Sequence, residues 1–475
     1  MPALSIFRAC YPSDFNATVL SAMKIKALLQ YSYQVIHRFS SAHFSIIMLM
    51  VFFVLPSCKQ QNKLPEFTSN DIGHIVTRMT DIMVRDITNP PLAARFFSYS
   101  CLAGYEVIAQ NDKKFKSMNG RLNDYPSMKK PDSIKPYSYQ LSALLAMIET
   151  AKKMQPSGKL LNDYEQKFID SCRNVGFDDE LINNSKKYAE IISKQILNYA
   201  KTDEYNKTTN LPKYTPLNKE GSWYPTPPGY IAAVEPYFNT VRSFTLDSAQ
   251  QFKPSAPVDF NSKKGSLFYN LTESVYNKGK TLTEEHRTIA SFWDCNPFAI
   301  QDEGHLMYGF KKISPGAHWL GITGIACDQA KKNFNESMEI FTTVSIGLMD
   351  AFICCWDEKY RSDRIRPETA IRKLIDPQWE PFLQTPPFPE YPSGHSTISA
   401  TSATILTHFF GDHFSYTDSV EVSYGLPAKS FTSFHKASEE AAISRFYGGI
   451  HFMDAVNNGR EQGLKVGEWV LDKLK

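Results

Sequence analysis

The chain has 475 residues, of which 42% are hydrophobic, enough to fill one large or two ordinary domains and too apolar for a disordered chain. Lys and Arg number 52 against 49 Asp and Glu, and the formal net charge of +3 excludes the broad basic face of a nucleic-acid binder. Any anion site must therefore be a local gathering of cations.

Phe44 to Val54 (FSIIMLMVFFV) is an apolar run too short to span a bilayer, with His37 and Arg38 upstream, and it fits the core of a signal peptide. Leu55-Pro56-Ser57-Cys58 follows and resembles a bacterial lipobox, in which Cys58 is lipidated and becomes the first mature residue. Residues 1–58 are thus expected as a lipoprotein signal, with Met23 a more ordinary start than Met1, and 59–70 as a polar tether. The expected location is exported and lipid-anchored at the cell envelope. No other stretch carries eighteen uninterrupted apolar residues, so the membrane enters only through the anchor. The later cysteines, Cys101, Cys172, Cys295, Cys327, Cys354 and Cys355, show no CxxC or Cys/His zinc spacing and are expected as buried free thiols.

Helical spacing of Ile72, Ile75, Met79 and Met83 predicts a helix from Asp71 to Arg85, and Pro90-Pro91 opens a second through LAARFFSYSCLAGYEVIA. Further helices are predicted near 136–154, 161–172 and 180–201. From about 210 to 260 the chain turns rich in Pro and aromatics (LPKYTP, GSWYPTPPGYIAAVEPYF), an ordered loop region because its aromatics need burial. Helical patterns return at 264–277, 283–294, 336–358, 395–410, 436–447 and 456–473. The expected fold is all-α, two packed helical bundles (71–260 and 261–475) joined by the Pro/aromatic-rich region, with the chemistry in the C-terminal bundle.

Three segments concentrate polar groups there. In KYRSDRIRP, Lys359 lies near the end of a long helix, and Pro367 disfavours α conformation at Arg366 while suiting the next helix start. Alone, such a basic joint is an ordinary solvated surface. In FPEYPSGHST, Ser393 is a good N-cap, Gly394 permits close backbone approach, and the free amides of the first turn favour an oxyanion that His395 would face. In SRFYGGIHFMD, helical pattern runs to Arg445, Gly448-Gly449 bends the chain, and His451 follows on the rebound. Asp454, three residues on, is a candidate to orient the His451 imidazole. Together Lys359, Arg366 and Arg445, one helix N-terminus and two histidines form an inventory for a tetrahedral or trigonal-bipyramidal oxyanion.

Lys359, six residues, Arg366-Pro367, then Pro392-Ser393-Gly394-His395, then Ser444-Arg445, five residues and His451: this order resembles the signature of the acid phosphatase and vanadium-dependent haloperoxidase superfamily, which includes type 2 phosphatidic acid phosphatases. The family commonly has Asp four residues after the last histidine, where this chain has Ala455. The resemblance implies one vanadate per chain, with His451 as its ligand, its oxygens held by Lys359, Arg366, Ser393, Gly394 and Arg445, and His395 handling protons. Halide, iodide or bromide, would then be oxidised by hydrogen peroxide to hypohalous acid. The alternative within the superfamily is a phosphatase without cofactor, which forms a phosphohistidine at His451 and hydrolyses phosphomonoesters. Trp356 and Phe388 resemble aromatics of the haloperoxidase pocket and favour that reading. So do the chain length and the segments FWDCNPF, GH (304–305) and SPGAHW, similar to bacterial haloperoxidase-like proteins such as iodoperoxidases. His305 and His318 are expected to be structural, because a lone histidine rarely marks chemistry. The sequence does not specify an oligomeric state.

Overall fold

A computed structural model describes residues 64–303, 306–309 and 312–475; the expected signal segment, Cys58 and His305 lie outside them. The first helix, α1 (Ser69–Arg85), begins two residues before the expected start, because Thr68 caps it and Asp71 returns a bond to the Thr68 amide. The end of the expected tether is already part of the fold, since Phe67 packs against Phe168, Phe177 and Phe334. Helix α2 (Pro90–Asn111) follows, with Pro at its first positions and the Asn89 side chain as cap. It is buried almost continuously from Pro90 to Ile108, the mark of a helix with neighbours on all sides. Helices α3 (Tyr139–Met154), α4 (Leu161–Asn174) and α5 (Asp179–Lys201) complete the first bundle, and the single turn α6 (Tyr205–Thr208) closes it.

The second bundle contains α7 (Leu267–Lys280), α8 (Glu284–Phe292), α9 (Pro315–Gln329), α10 (Phe334–Ser362), α11 (Pro367–Leu374), α12 (Gly394–Phe410), α13 (Phe434–Tyr447) and α14 (Met453–Lys473). Two short antiparallel hairpins interrupt it, β1 (Ile300–Glu303) with β2 (Leu306–Gly309) and β3 (Tyr416–Asp418) with β4 (Lys429–Phe431). The fold is therefore all-α in architecture, as the sequence predicts. Helix α10 is its axis. Among the described residues it is the one helix long and apolar enough to cross a membrane, but 94% of its apolar window is buried inside the protein. It packs on α2 in the first bundle and on α12 and α14 in the second.

The Pro/aromatic-rich region is an ordered strap over α10. Trp356 Nε1 and the Tyr360 hydroxyl both donate to the Val234 carbonyl, at 3.2 and 2.6 Å. Higher on the helix, the buried Asp350 carboxylate accepts from the amides of Phe244 and Thr245 and from the Thr245 hydroxyl, at 2.7, 2.8 and 2.6 Å. Helices α12 and α14 touch through backbone, because Gly459, Gly463 and Gly467 recur at four-residue spacing on one face of α14. A Cβ at Gly459 would lie 2.7 Å from the Ser393 carbonyl, and one at Gly463 would lie 2.2 Å from that of Thr397. This contact sets the N-terminus of α12 beside the segment that carries His451.

Candidate active site

Five chain turns deliver the signature residues to one place. Lys359 sits in the last turn of α10, and Arg366 is the extended residue before Pro367 opens α11. Ser393 caps α12 through its side chain, which accepts from the Ser396 amide at 3.3 Å. Arg445 is in the last turns of α13; Gly449, at φ +77°, then reverses the chain so that His451 points back before α14 begins. Lys359, Arg366, Ser393 and Arg445 are fully buried, and His451 is 2% exposed. Such burial of three cations without equal counter-charge rejects the reading of a solvated basic joint.

Trp356 and Phe388 line the cavity beside these residues. Trp356 and Phe388 rings meet at 5.0 Å, and both Lys359 Nζ and the Arg366 guanidinium lie over the Phe388 ring, at 5.1 and 5.0 Å. A Cβ on Gly394 would meet Trp356 at 3.5 Å, an ordinary van der Waals contact, so the first turn of α12 lies directly against the aromatic wall. A small cavity of about 30 Å³ opens here, lined by Trp356, Phe388, Gly394, His395, Ile450 and His451 among others.

Hydrogen bonds define the state of His451. Its Nδ1 lies 2.8 Å from Glu390 Oε1, and its Nε2 lies 3.2 Å from Arg366 Nη1. A carboxylate takes the proton side and a guanidinium the lone-pair side, so the imidazole is neutral with its Nε2 lone pair turned to the cations. Burial, then the charges of Arg366 and Lys359, hold its pKa well below the usual histidine value. His395 is half-buried with Nε2 enclosed, and burial followed by Arg445 lowers it in the same way. Lys359 is pushed down to about 7 by burial, with Arg366 adding to the effect and Glu390 opposing it. Arg366 is brought down to about 9 by burial.

Four buried polar atoms in this cluster have no hydrogen-bond partner: Arg366 Nη2, Arg445 Nε and Nη2, and His395 Nε2. Buried polar atoms are rarely left unsatisfied, and unpaired guanidinium donors together with a helix N-terminus are the chemistry of an oxyanion cradle. A bound oxyanion would satisfy them and offset the field that depresses Lys359 and both histidines. The residues present therefore fit a vanadate or phosphate group.

The orienting role expected of Asp454 is corrected. Its carboxylate accepts two bonds from Arg364, at 2.6 and 2.8 Å, because α14 starts at Met453 and carries that side chain away from the imidazole. Glu390 holds His451 instead. It also accepts from the Phe452 amide and from Arg364, so Asp454 acts one step removed through a shared guanidinium. Sequence reading passed over Glu390 and Arg364; the one signal was a carboxylate set in the apolar run PPFPEYP. It also passed over Trp293, whose carbonyl anchors Arg445 Nη1 at 2.6 Å. Lys359 donates to the carbonyls of Pro389, Glu390 and Pro392, which ties the approach to α12 onto α10. His318 is fully buried.

Comparison with known proteins agrees with this arrangement. Residues 339–475 match the family model for the VCPO second helical-bundle domain. A bacterial vanadium-dependent iodoperoxidase of known structure superposes with a TM-score of 0.81 at 40% identity, covering 86% of this chain and 97% of its own. Two structures of bacterial vanadium-dependent chloroperoxidase, the holo and apo types, share the fold at 14% identity, with TM-scores of 0.58 and 0.60 and 82% of this chain covered. They cover 93% and 94% of those chains. No curated protein matches in sequence.

Proposed function

The chain belongs to the vanadium-dependent haloperoxidase family, and from that premise we propose that it oxidises iodide with hydrogen peroxide, using one vanadate held at His451. The observation that carries this reading is the set of unpartnered buried donors on Arg366, Arg445 and His395, gathered around a neutral His451 whose lone pair faces them. Vanadate, when bound, supplies a Lewis-acidic centre that activates peroxide without a change of oxidation state.

The protein's own groups then have separable tasks. Lys359, Arg366 and Arg445 balance the oxyanion's charge, and the Ser393 hydroxyl and first amides of α12 supply directed donors. Glu390 keeps the His451 proton on Nδ1, which leaves Nε2 as the ligand atom. His395, made weakly basic by burial and cations, regains basicity once an oxyanion offsets them, and can accept a proton from incoming peroxide and return it to the departing hypohalite. Trp356 and Phe388 keep the halide approach apolar, which suits a large, weakly hydrated halide. The 40% identical relative is an iodoperoxidase, and iodide is proposed over bromide on that support. Export and lipid anchoring at Cys58 are proposed from the LPSC sequence.

The test is reconstitution of the purified protein with orthovanadate, followed by assay of iodide and bromide oxidation by peroxide and of p-nitrophenyl phosphate hydrolysis. Vanadate-dependent iodide oxidation is expected, lost in His451→Ala together with bound vanadium and lost in His395→Ala with vanadium partly retained. Phosphate ester hydrolysis that vanadate merely inhibits, with no halide oxidation, would establish the phosphatase alternative.

A further inference from the structure

Near the oxyanion site, three segments of the chain bring together Cys295 from the loop after α8, His318 from α9, and both Asp418 at the end of β3 and Glu421 in the 3-10 turn that follows it. Cys295 Sγ lies 3.5 Å from His318 Nδ1 and 3.6 Å from Glu421 Oε1, and His318 Nδ1 lies 3.5 Å from the same oxygen. The His318–Glu421 edge of this near-equilateral triangle is too open for a charge-assisted N–H to carboxylate bond, which closes to about 2.7–2.9 Å, while the two sulfur edges are of S–H hydrogen-bond length. The triangle matches the edges of a tetrahedral zinc site, about 3.3–3.6 Å when the bonds to N, O and S are about 2.0–2.3 Å. On the far side of the ring, His318 Nε2 and Asp418 Oδ2 are 2.7 Å apart, a true hydrogen bond. Among the described residues, these three donors are the one such group of His, Cys and carboxylate atoms lying within ligand spacing, and all three residues are buried.

We propose that Cys295, His318 and Glu421 bind a divalent ion of the zinc class, with Asp418 fixing the His318 tautomer from behind. One soft thiolate, one imidazole and one carboxylate suit zinc rather than calcium or magnesium, and a carboxylate on the distal nitrogen of a ligating histidine is its usual partner. Three protein ligands leave the fourth position to a water.

The ion would staple the Trp293–Asn296 loop to α9 and the β3 turn. Trp293 in that loop holds Arg445 and stacks on His318, with ring centroids 4.8 Å apart, so the ion supports one cation of the oxyanion cradle. The site does not depend on which oxyanion the neighbouring cradle holds.

The experiment is elemental analysis of the purified full chain for zinc, with vanadium counted separately. One zinc per chain is expected, lost in Cys295→Ser and kept in Cys172→Ser, a buried thiol outside the cluster. Should Cys295→Ser not fold, exchange of the wild-type ion for cobalt(II) decides: thiolate-to-cobalt charge-transfer absorption supports the site, and its absence overturns it. Folded wild-type protein that takes up neither metal overturns the proposal, as does zinc that stays in folded Cys295→Ser.

Discussion

Two carboxylates lie near His451, and one of them reaches it: Glu390, 61 positions away in sequence, meets the imidazole Nδ1 at 2.8 Å. Asp454 looked better placed because helical spacing puts it near His451, yet Arg364 satisfies it instead. The two carboxylates share that arginine, which allows a discriminating test. Glu390→Gln keeps an acceptor for Nδ1 but removes the charge that holds the tautomer, so affinity for vanadate is expected to fall about 10–100-fold. Asp454→Asn, which disturbs the same Arg364 without touching the imidazole, should leave affinity within a few-fold. Vanadate titration by calorimetry checks both. Equal losses would place Glu390 among merely structural residues.

At the element scale, helices with strong caps and amphipathic faces were legible, often to within two or three residues at their starts. Helix α9 was not, because its apolar residues are spread around the helix and interrupted by three glycines, so no period marks it. The three-residue strands of the second hairpin are below any sequence signal. The glycines of α14 were equally silent until the α12 contact was seen, and there they matter for the site. In Gly459→Ala the methyl must displace the Ser393 peptide, and in Gly463→Ala that of Thr397, one turn deeper into α12. Each variant is expected to lose about 1–3 kcal/mol of stability by overpacking. Only Gly459→Ala moves the amides that face the oxyanion, so thermal unfolding should shift in both while vanadate affinity drops chiefly in the first. Equal affinity losses would mean that α12 shifts as a rigid rod.

At the scale of the whole molecule, the sequence predicts two helical halves joined by the Pro/aromatic interruption, whereas residues 64–475 form one compact unit around α10. Periodicity says that α10 is buried without saying by what. Its N-terminal half meets α2 through Ser98 Oγ, which donates to the Ser345 carbonyl at 2.6 Å, and through Thr342 Oγ1, which donates to the Cys101 carbonyl at 3.2 Å. Asp350, whose carboxyl burial raises to about 6, is tolerated there because the strap gives it three donors. The matched segment 339–475 is therefore half of a joint and lacks both the α2 face and the strap. Produced alone, it would expose the apolar side of α10 and compete for burial by association, since exposed apolar area costs about 25 cal/mol per Å². Residues 64–475 are expected to unfold in a single transition, with near- and far-ultraviolet circular dichroism coincident. The 339–475 fragment is expected to aggregate or to keep helicity without fixed tertiary signals. A monomeric fragment with its own cooperative transition would show that the second bundle carries the site unaided, and α2 would then be an addition to the fold rather than a part of its core.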